Sequence, residues 1–347
     1  MRYREIPGTG IRVSEVGFGA EPLGAGWWGD DGDDEAVRLV HAAVDAGITL
    51  FDVADRDGDG RAQQVLGRAL RDRRDRVVIA TRVGYAWDGA EPRRPGRPMP
   101  QDFRPHAIAR AVRASAERLG GSIDICELHH PPRAALADDA LAIEMARLVE
   151  EGTVRAFGAC IPDGARPGQG RRLIRQGRFP VLDVELGMLG HDPGAELAGL
   201  AHAAGSCVIA RAALGHGLLE GKYTPQTTFP RGDPRADLGP EWLSEGLRRV
   251  GQLGFLHAAG RPWSLAQAAI AWVLARPGVA SVVVPVHGEE QLREFAGASG
   301  MPALADDDLA RIEALIEGDF APLPEPGADP DAGPHSDAPQ EPVSAVA

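Results

Sequence analysis

Eight short apolar or β-branched runs recur along the chain: Val16–Gly19, Ile48–Val53, Val77–Arg82, Ile123–His129, Val154–Cys160, Val181–Glu185, Cys207–Ala210 and Ser281–Val286. Between them Asp34–Ala46, Pro105–Leu119, Leu136–Glu150 and Ser264–Ala275 carry apolar side chains at helical spacing. Strands that alternate with helices pair in parallel through crossovers, and eight such units close into a (β/α)8 barrel. Barrels of this kind place their chemistry at the carboxyl ends of the strands. Here those ends are Asp52, Arg82, His129, Cys160, Glu185, Arg211 and Val286.

A chain of 347 residues fits one such barrel without a second domain. The barrel is expected over residues 1–320, its last helix near Asp306–Glu317. Residues 321–347 hold seven prolines, several acids and no Phe, Trp or Tyr, a composition that reads as a disordered tail because it cannot bury enough apolar surface to offset ordering. A proline-rich insertion at Tyr85–Gln101, after the third strand, is placed to cover the barrel mouth.

The formal charge of −13 argues against nucleic acid or an anionic membrane surface as partner and points to a small-molecule substrate. Cys126, Cys160 and Cys207 are odd in number and sit in apolar runs, so no disulfide framework is expected and a reducing, cytoplasmic setting fits. No stretch approaches the length of a membrane-spanning helix, and the first residues do not read as a signal peptide.

Several motifs, in order from about residue 3 to residue 318, resemble the aldo-keto reductase family. Arg12–Gly19 resembles its amino-terminal hairpin leading into strand one, Asp45–Asp52 the approach to its catalytic aspartate, and Val77–Gly84 the strand ending in its catalytic lysine. Ile123–Pro131 resembles the strand carrying its histidine, and Ala213–Tyr223 the loop over the cofactor pyrophosphate. The resemblance implies a barrel of aldo-keto reductase type. Of the family tetrad it retains Asp52 and His129, while Asp57 stands at the tyrosine position and Arg82 at the lysine position.

In the family, hydride comes from NADPH bound across the barrel mouth. The carboxamide positions match Cys160, Ile161 and Asp183; Leu186 stands where an aromatic ring usually stacks on the nicotinamide, and Phe295 where a polar residue faces the adenine. Glu289 and Glu290 would repel a 2′-phosphate. From these departures the expectation is that NADPH binding is lost and no cofactor is used, with NADP as the alternative.

The candidate catalytic residues are Asp52, Asp57, Arg82 and His129. Asp52 and Arg82 are expected to form a two-pronged ion pair, either purely structural or orienting Arg82 toward a substrate carboxylate or enolate oxygen. Asp57 is either a solvated carboxylate of an acidic loop or, beside His129, half of an acid–base pair. The string Asp55–Gly60 resembles the opening of a calcium loop but has Leu66 where the bidentate glutamate belongs. Adjacent strand residues face opposite ways, so His130 is not expected to share a site with His129, and no Cys/His spacing supplies a zinc site. Gly215-His216-Gly217 is either an inherited turn or an anion cradle of backbone amides, and Trp27 and Trp28 either line the pocket or pack the loop.

The leading functional expectation is a non-redox enzyme on this barrel, a lyase, isomerase or cyclase acting on a small carbonyl or hydroxyl metabolite. The Arg-, Ala- and Gly-rich composition suggests a high-GC bacterium and a setting in secondary metabolism. The alternatives are an NADP-dependent reductase with an atypical site and an inactive barrel that binds a ligand or partner.

Overall fold

The computed structural model describes residues 1–24, 32–86, 99–162, 167–190, 193–230 and 233–321. Trp27, Trp28, the interior of the proline-rich insertion at 87–98 and the tail from 322 lie outside these residues. An antiparallel hairpin, β1 (Tyr3–Ile6) and β2 (Ile11–Ser14), precedes the barrel. The barrel strands are β3 (Val16–Gly19), β4 (Leu50–Ala54), β5 (Val78–Val83), β6 (Ile123–His129), β7 (Val154–Cys160), β8 (Val181–Glu185), β9 (Cys207–Arg211) and β10 (Val279–Pro285). They pair in parallel in chain order, and β10 closes the ring between β9 and β3.

The helices are α1 (Gly32–Asp45), α2 (Arg61–Leu70), α3 (Pro105–Leu119), α4 (Arg133–Leu136), α5 (Asp139–Glu150), α6 (Pro167–Gln176), α7 (Gly194–Ala203), α8 (Gly239–Gln252), α9 (Leu265–Leu274), α10 (Glu289–Gly297) and α11 (Asp306–Glu317). The stretch Leu136–Glu150, read from its periodicity as one helix, begins on the last residue of α4 and becomes α5 only from Asp139. The Asp138 carboxylate accepts the Ala140 N–H at 2.9 Å, and this cap starts α5 afresh after α4 has ended.

Two apolar cores result. The larger lies between strands and helices and includes Phe18, Phe51, Leu66, Ile79, Leu182 and Trp272. The smaller joins Ile6, Ile11 and Val13 of the hairpin to Leu50, Val78, Val181 and Cys207 at the amino ends of the strands. The hairpin therefore plugs one end of the barrel with apolar side chains. Polar groups collect at the other end, where the strands finish.

Candidate active site

Four charged side chains from two pairs of neighbouring strands on opposite sides of the ring, β4 with β5 and β8 with β9, meet at the carboxyl end of the barrel. Arg82 on β5 donates through Nη1 to Asp52 Oδ2 on β4 at 2.8 Å and to Asp183 Oδ2 on β8 at 3.1 Å. Arg211 on β9 donates through Nε to Asp183 Oδ1 at 2.5 Å and through Nη2 to the Ile161 carbonyl at 2.6 Å. The two-pronged Asp52–Arg82 pair is thus corrected: one guanidinium nitrogen is shared by two carboxylates, because barrel closure brings in an acid from the far side that no neighbouring-strand argument includes. The Asp183 carboxyl is held below its usual range. Burial pushes it up, but Arg211 and Arg82 outweigh that cost. Asp52 is raised to about 7, chiefly by burial, against the pull of Arg82.

Glu127 on β6 belongs to the same cluster, one of its oxygens lying within 4.8 Å of oxygens of Asp52 and Asp183. It is fully buried, and neither oxygen has a hydrogen-bond partner among the described residues. Burial, reinforced by Asp183 and Asp52, raises its carboxyl well above the usual range. The sequence held a signal for it: Glu127 lies two residues before His129 and shares its inward parity.

Asp57 follows β4 in a tight turn. Its Oδ2 accepts the Ala54 N–H at 2.7 Å, while its own N–H donates to the Ala54 carbonyl at 3.1 Å. The turn is pressed onto residues Glu21–Gly24: a β-carbon on Gly58, at φ +57, would lie 2.3 Å from the Gly24 carbonyl oxygen. Only glycine satisfies both the left-handed backbone and that approach. Asp57 is 7% exposed, so it is not the solvated carboxylate of an acidic loop. Burial raises its carboxyl to about 6, Glu21 adding to the rise and Arg82 opposing it. Asp57 and His129 share no hydrogen bond; Arg82 acts electrostatically on both. The calcium-loop resemblance ends here as well, since Leu66 is buried in the core inside α2.

His129 ends β6, 4% exposed. Burial, then Arg82 and Arg56, keeps it neutral by lowering its pKa well below the usual value, and its Nδ1 has no hydrogen-bond partner among the described residues. The expectation that His130 faces away is overturned. His130 adopts φ +56, which ends the strand alternation, and its N–H donates to the Cys160 carbonyl at 3.2 Å. The two imidazole centroids lie 4.6 Å apart. Tyr85 meets the His129 ring edge-on at 4.9 Å and places its hydroxyl 3.1 Å from His130 Nδ1.

Leu186 and Phe295 are 1% and 0% exposed and belong to the core, so neither side chain presents itself to a ligand. The anion-cradle reading of the 215–219 loop is also corrected. Gly215, His216 and Gly217 are all left-handed, and the N–H groups of Gly217 and Leu219 donate to Leu214, that of Leu218 to Gly215. These amides are consumed by the turn itself.

The Aldo/keto reductase family profile matches residues 15–317. The chain belongs to the aldo/keto reductase family. It is 32% identical to the uncharacterized oxidoreductase Rv2298 of Mycobacterium tuberculosis (strain ATCC 25618 / H37Rv), over 85% of this chain and 86% of that protein. It is 27% identical to the NADH-specific methylglyoxal reductase of Escherichia coli (strain K12), over 91% of this chain and 99% of that protein. The holo form of the aldo-keto reductase AKR11C1 from Bacillus halodurans superposes with a TM-score of 0.73 at 24% identity, covering 91% of this chain and 96% of that one.

These relationships correct two expectations. The reading that no cofactor is used is overturned by the family match and by a relative that is named an NADH-specific reductase. The lyase, isomerase or cyclase reading and the setting in secondary metabolism find no support, since the relatives are named as reductases and oxidoreductases. Among the described residues no helix is long and apolar enough to cross a membrane, and the three cysteines are free and buried.

The donor set at the mouth fits a carboxamide. Asp183 is a buried acceptor held ionised, and Arg211 beside it is a donor, the complement of an amide N–H and C=O. Glu289 and Glu290 open α10.

Proposed function

We propose that this aldo/keto reductase is an oxidoreductase of small carbonyl or hydroxyl compounds that works with NADH in preference to NADPH, with Asp57 as its proton donor. The observation that carries the reading is the divergence of two buried carboxyls in one cluster: Asp57 is raised to about 6 while Asp183 is held low. Environments that drive titratable groups apart assign an acid and a permanent charge. Asp183 and Arg211 would hold the carboxamide, and Glu289 and Glu290 the adenosine ribose, where a 2′-phosphate would meet like charge. The dinucleotide supplies the hydride when bound.

The chain's own residues do the rest. Asp57 keeps its proton up to about pH 6 and gives it to the carbonyl oxygen, the step a tyrosine performs elsewhere in the family. The buried Arg82 Nε–H has no partner among the described residues, so it supplies a fixed donor to the oxygen as negative charge develops. Asp52 and Asp183 pin the same guanidinium at Nη1 and keep its orientation. Neutral His129 borders the space where the carbonyl compound would sit.

The test uses the purified full-length protein with NADH and NADPH in turn and a panel of short aldehydes, ketones and glyoxals. Expected are NADH binding, NADH oxidation by a subset of carbonyls, and an Asp57→Asn variant that binds NADH normally but turns over at least about a hundredfold more slowly. Failure of either dinucleotide to bind in calorimetry would sink the proposal and favour an inactive binding barrel. Undiminished turnover in Asp57→Asn would remove Asp57 from the role.

A further inference from the structure

We infer that His129, His130 and Cys160 form a zinc-binding site at the barrel mouth. Register places the ends of β6 and β7 side by side, with His129 opposite Cys160. The left-handed backbone of His130 then turns its side chain back beside that of His129. One ligand atom from each residue lies within 4.8 Å of the other two. A tetrahedral zinc, with nitrogen ligands at about 2.0–2.1 Å and sulfur at about 2.3 Å, needs only a small convergence of these atoms.

The Nδ1 of His129 is buried with no hydrogen-bond partner among the described residues. The Cys160 sulfur makes a long 3.9 Å approach to its neighbour's carbonyl. Tyr85 orients His130 through its hydroxyl, and the Gln101 amide donates to the carbonyls of His129 and His130 at 3.3 and 3.1 Å. Partners of this kind orient and tune metal ligands from outside the coordination sphere.

The set favours zinc over the hard ions calcium and magnesium. Two imidazoles and one thiolate suit a borderline-soft dication, whereas calcium and magnesium require oxygen donors. Three protein ligands leave a fourth position for water, the pattern of an open site. On binding, the Cys160 S–H bond is replaced by S–Zn and one proton passes to solvent, so the ion and its thiolate together carry a single positive charge. The cations that act on His129 include Arg56, Arg82 and Arg211; Arg82 and Arg211 are already neutralised by Asp52 and Asp183. Binding does not depend on the redox reading. If that reading holds, zinc and the carbonyl substrate compete for the same mouth.

The experiment titrates the chelator-treated, full-length protein with Co2+, followed spectroscopically, and with Zn2+ by calorimetry. Expected are one ion per chain, a near-ultraviolet thiolate-to-cobalt band, and displacement of cobalt by zinc. Cys160→Ser and His130→Ala, checked for folding by circular dichroism, should each weaken zinc binding by about a hundredfold, while the exposed His257→Ala leaves it unchanged. X-ray absorption on the zinc-loaded wild type needs no variant, and should find one sulfur at about 2.3 Å among lighter neighbours. A metal shell without sulfur, absence of the cobalt band in folded protein, or equal zinc affinity in Cys160→Ser and wild type would overturn the assignment. None of these outcomes depends on whether a dinucleotide binds.

Discussion

Arg211 at the end of β9 and Asp183 in the middle of β8 face each other across 2.5 Å, and the second oxygen of Asp183 reaches Arg82. One carboxylate therefore pairs with two guanidiniums, sharing Arg82 with Asp52, in a region where its own side chain is 2% exposed. Removing one partner of a buried ion pair leaves a charge without its counterion, and the cost greatly exceeds that of an exposed pair. Asp183→Asn is expected to destabilise the protein by about 3 kcal/mol, read from denaturant unfolding. A loss comparable to that for the exposed pair Arg171–Glu196 would show that the two arginines find other compensation.

The proton inventory at Asp57 gives the reaction a direction in pH. Its carboxyl is protonated below about 6, so carbonyl reduction should be fastest on the acid side and fall as pH rises through that value. Alcohol oxidation, which needs the carboxylate as base, should rise over the same interval. Steady-state rates in both directions from about pH 5 to about pH 8 measure this. Parallel profiles in the two directions would contradict it.

Folding stability should titrate in the same window. Asp52 and Asp55 are raised to about 7 and Asp57 to about 6, burial being the main cause in each. A raised acid is bound more tightly by protons in the fold than in the unfolded chain. Its stabilising protonation is fully present below the usual carboxylate value of 3.8 and is lost as pH climbs through 6 to 7. The acids held low, Asp102 and Glu245 at about 2, act in the opposite sense only in stronger acid; His129 and His287, lowered by burial, oppose the raised acids as pH passes the usual imidazole value of 6.5, but Glu127, raised by burial, adds a fourth acid to the other side. The melting temperature should therefore be higher near pH 5 than near pH 8, and Asp55→Asn, which deletes one raised group, should flatten the difference. A wild-type melting temperature that rises from about pH 5 to about pH 8 would refute this account.

The barrel was legible because each strand is a compact apolar run bounded by turns. Ile123–His129, Val154–Cys160 and Val181–Glu185 coincide with β6, β7 and β8 to the residue. The identities of the mouth residues Asp52, Arg82 and His129 followed from the rule that strand ends carry the chemistry. Their partnerships did not. The meeting of Arg82 with Asp183 depends on closure across the barrel, and periodicity along one strand contains no information about that distance. His130 escaped because alternation stops where φ turns positive, and a histidine in a His-Pro sequence gives no local sign of it. Glu127 escaped because an acid inside an apolar run draws attention only once its neighbours are known to be acids too. The four-residue strands β1 and β2 are too short for a pattern of their own and were visible only through family resemblance.

Glycine 58 provides the most direct test of how the chain positions its acid. A methyl group at Gly58 would sit 2.3 Å from the Gly24 carbonyl oxygen and 2.6 Å from the Gly24 Cα, on a backbone at φ +57. Gly120 is also left-handed, at φ +80, but a β-carbon there meets nothing within 4 Å. The two sites share the conformational penalty for a side chain, about 1 kcal/mol, and differ in the collision alone. Gly120→Ala should therefore lose about 1 kcal/mol of stability and retain full turnover. Gly58→Ala should lose more than about 2 kcal/mol, because the turn must move away from Glu21–Gly24 to relieve the contact. That movement breaks the Ala54–Asp57 hydrogen bond and lets water reach the carboxyl. The acid limb of the reduction profile should then shift to lower pH, toward an ordinary carboxylate, since burial is the main cause of the raised value. Equal losses in the two variants, with an unmoved pH profile in Gly58→Ala, would show that the turn absorbs the methyl group without displacing Asp57.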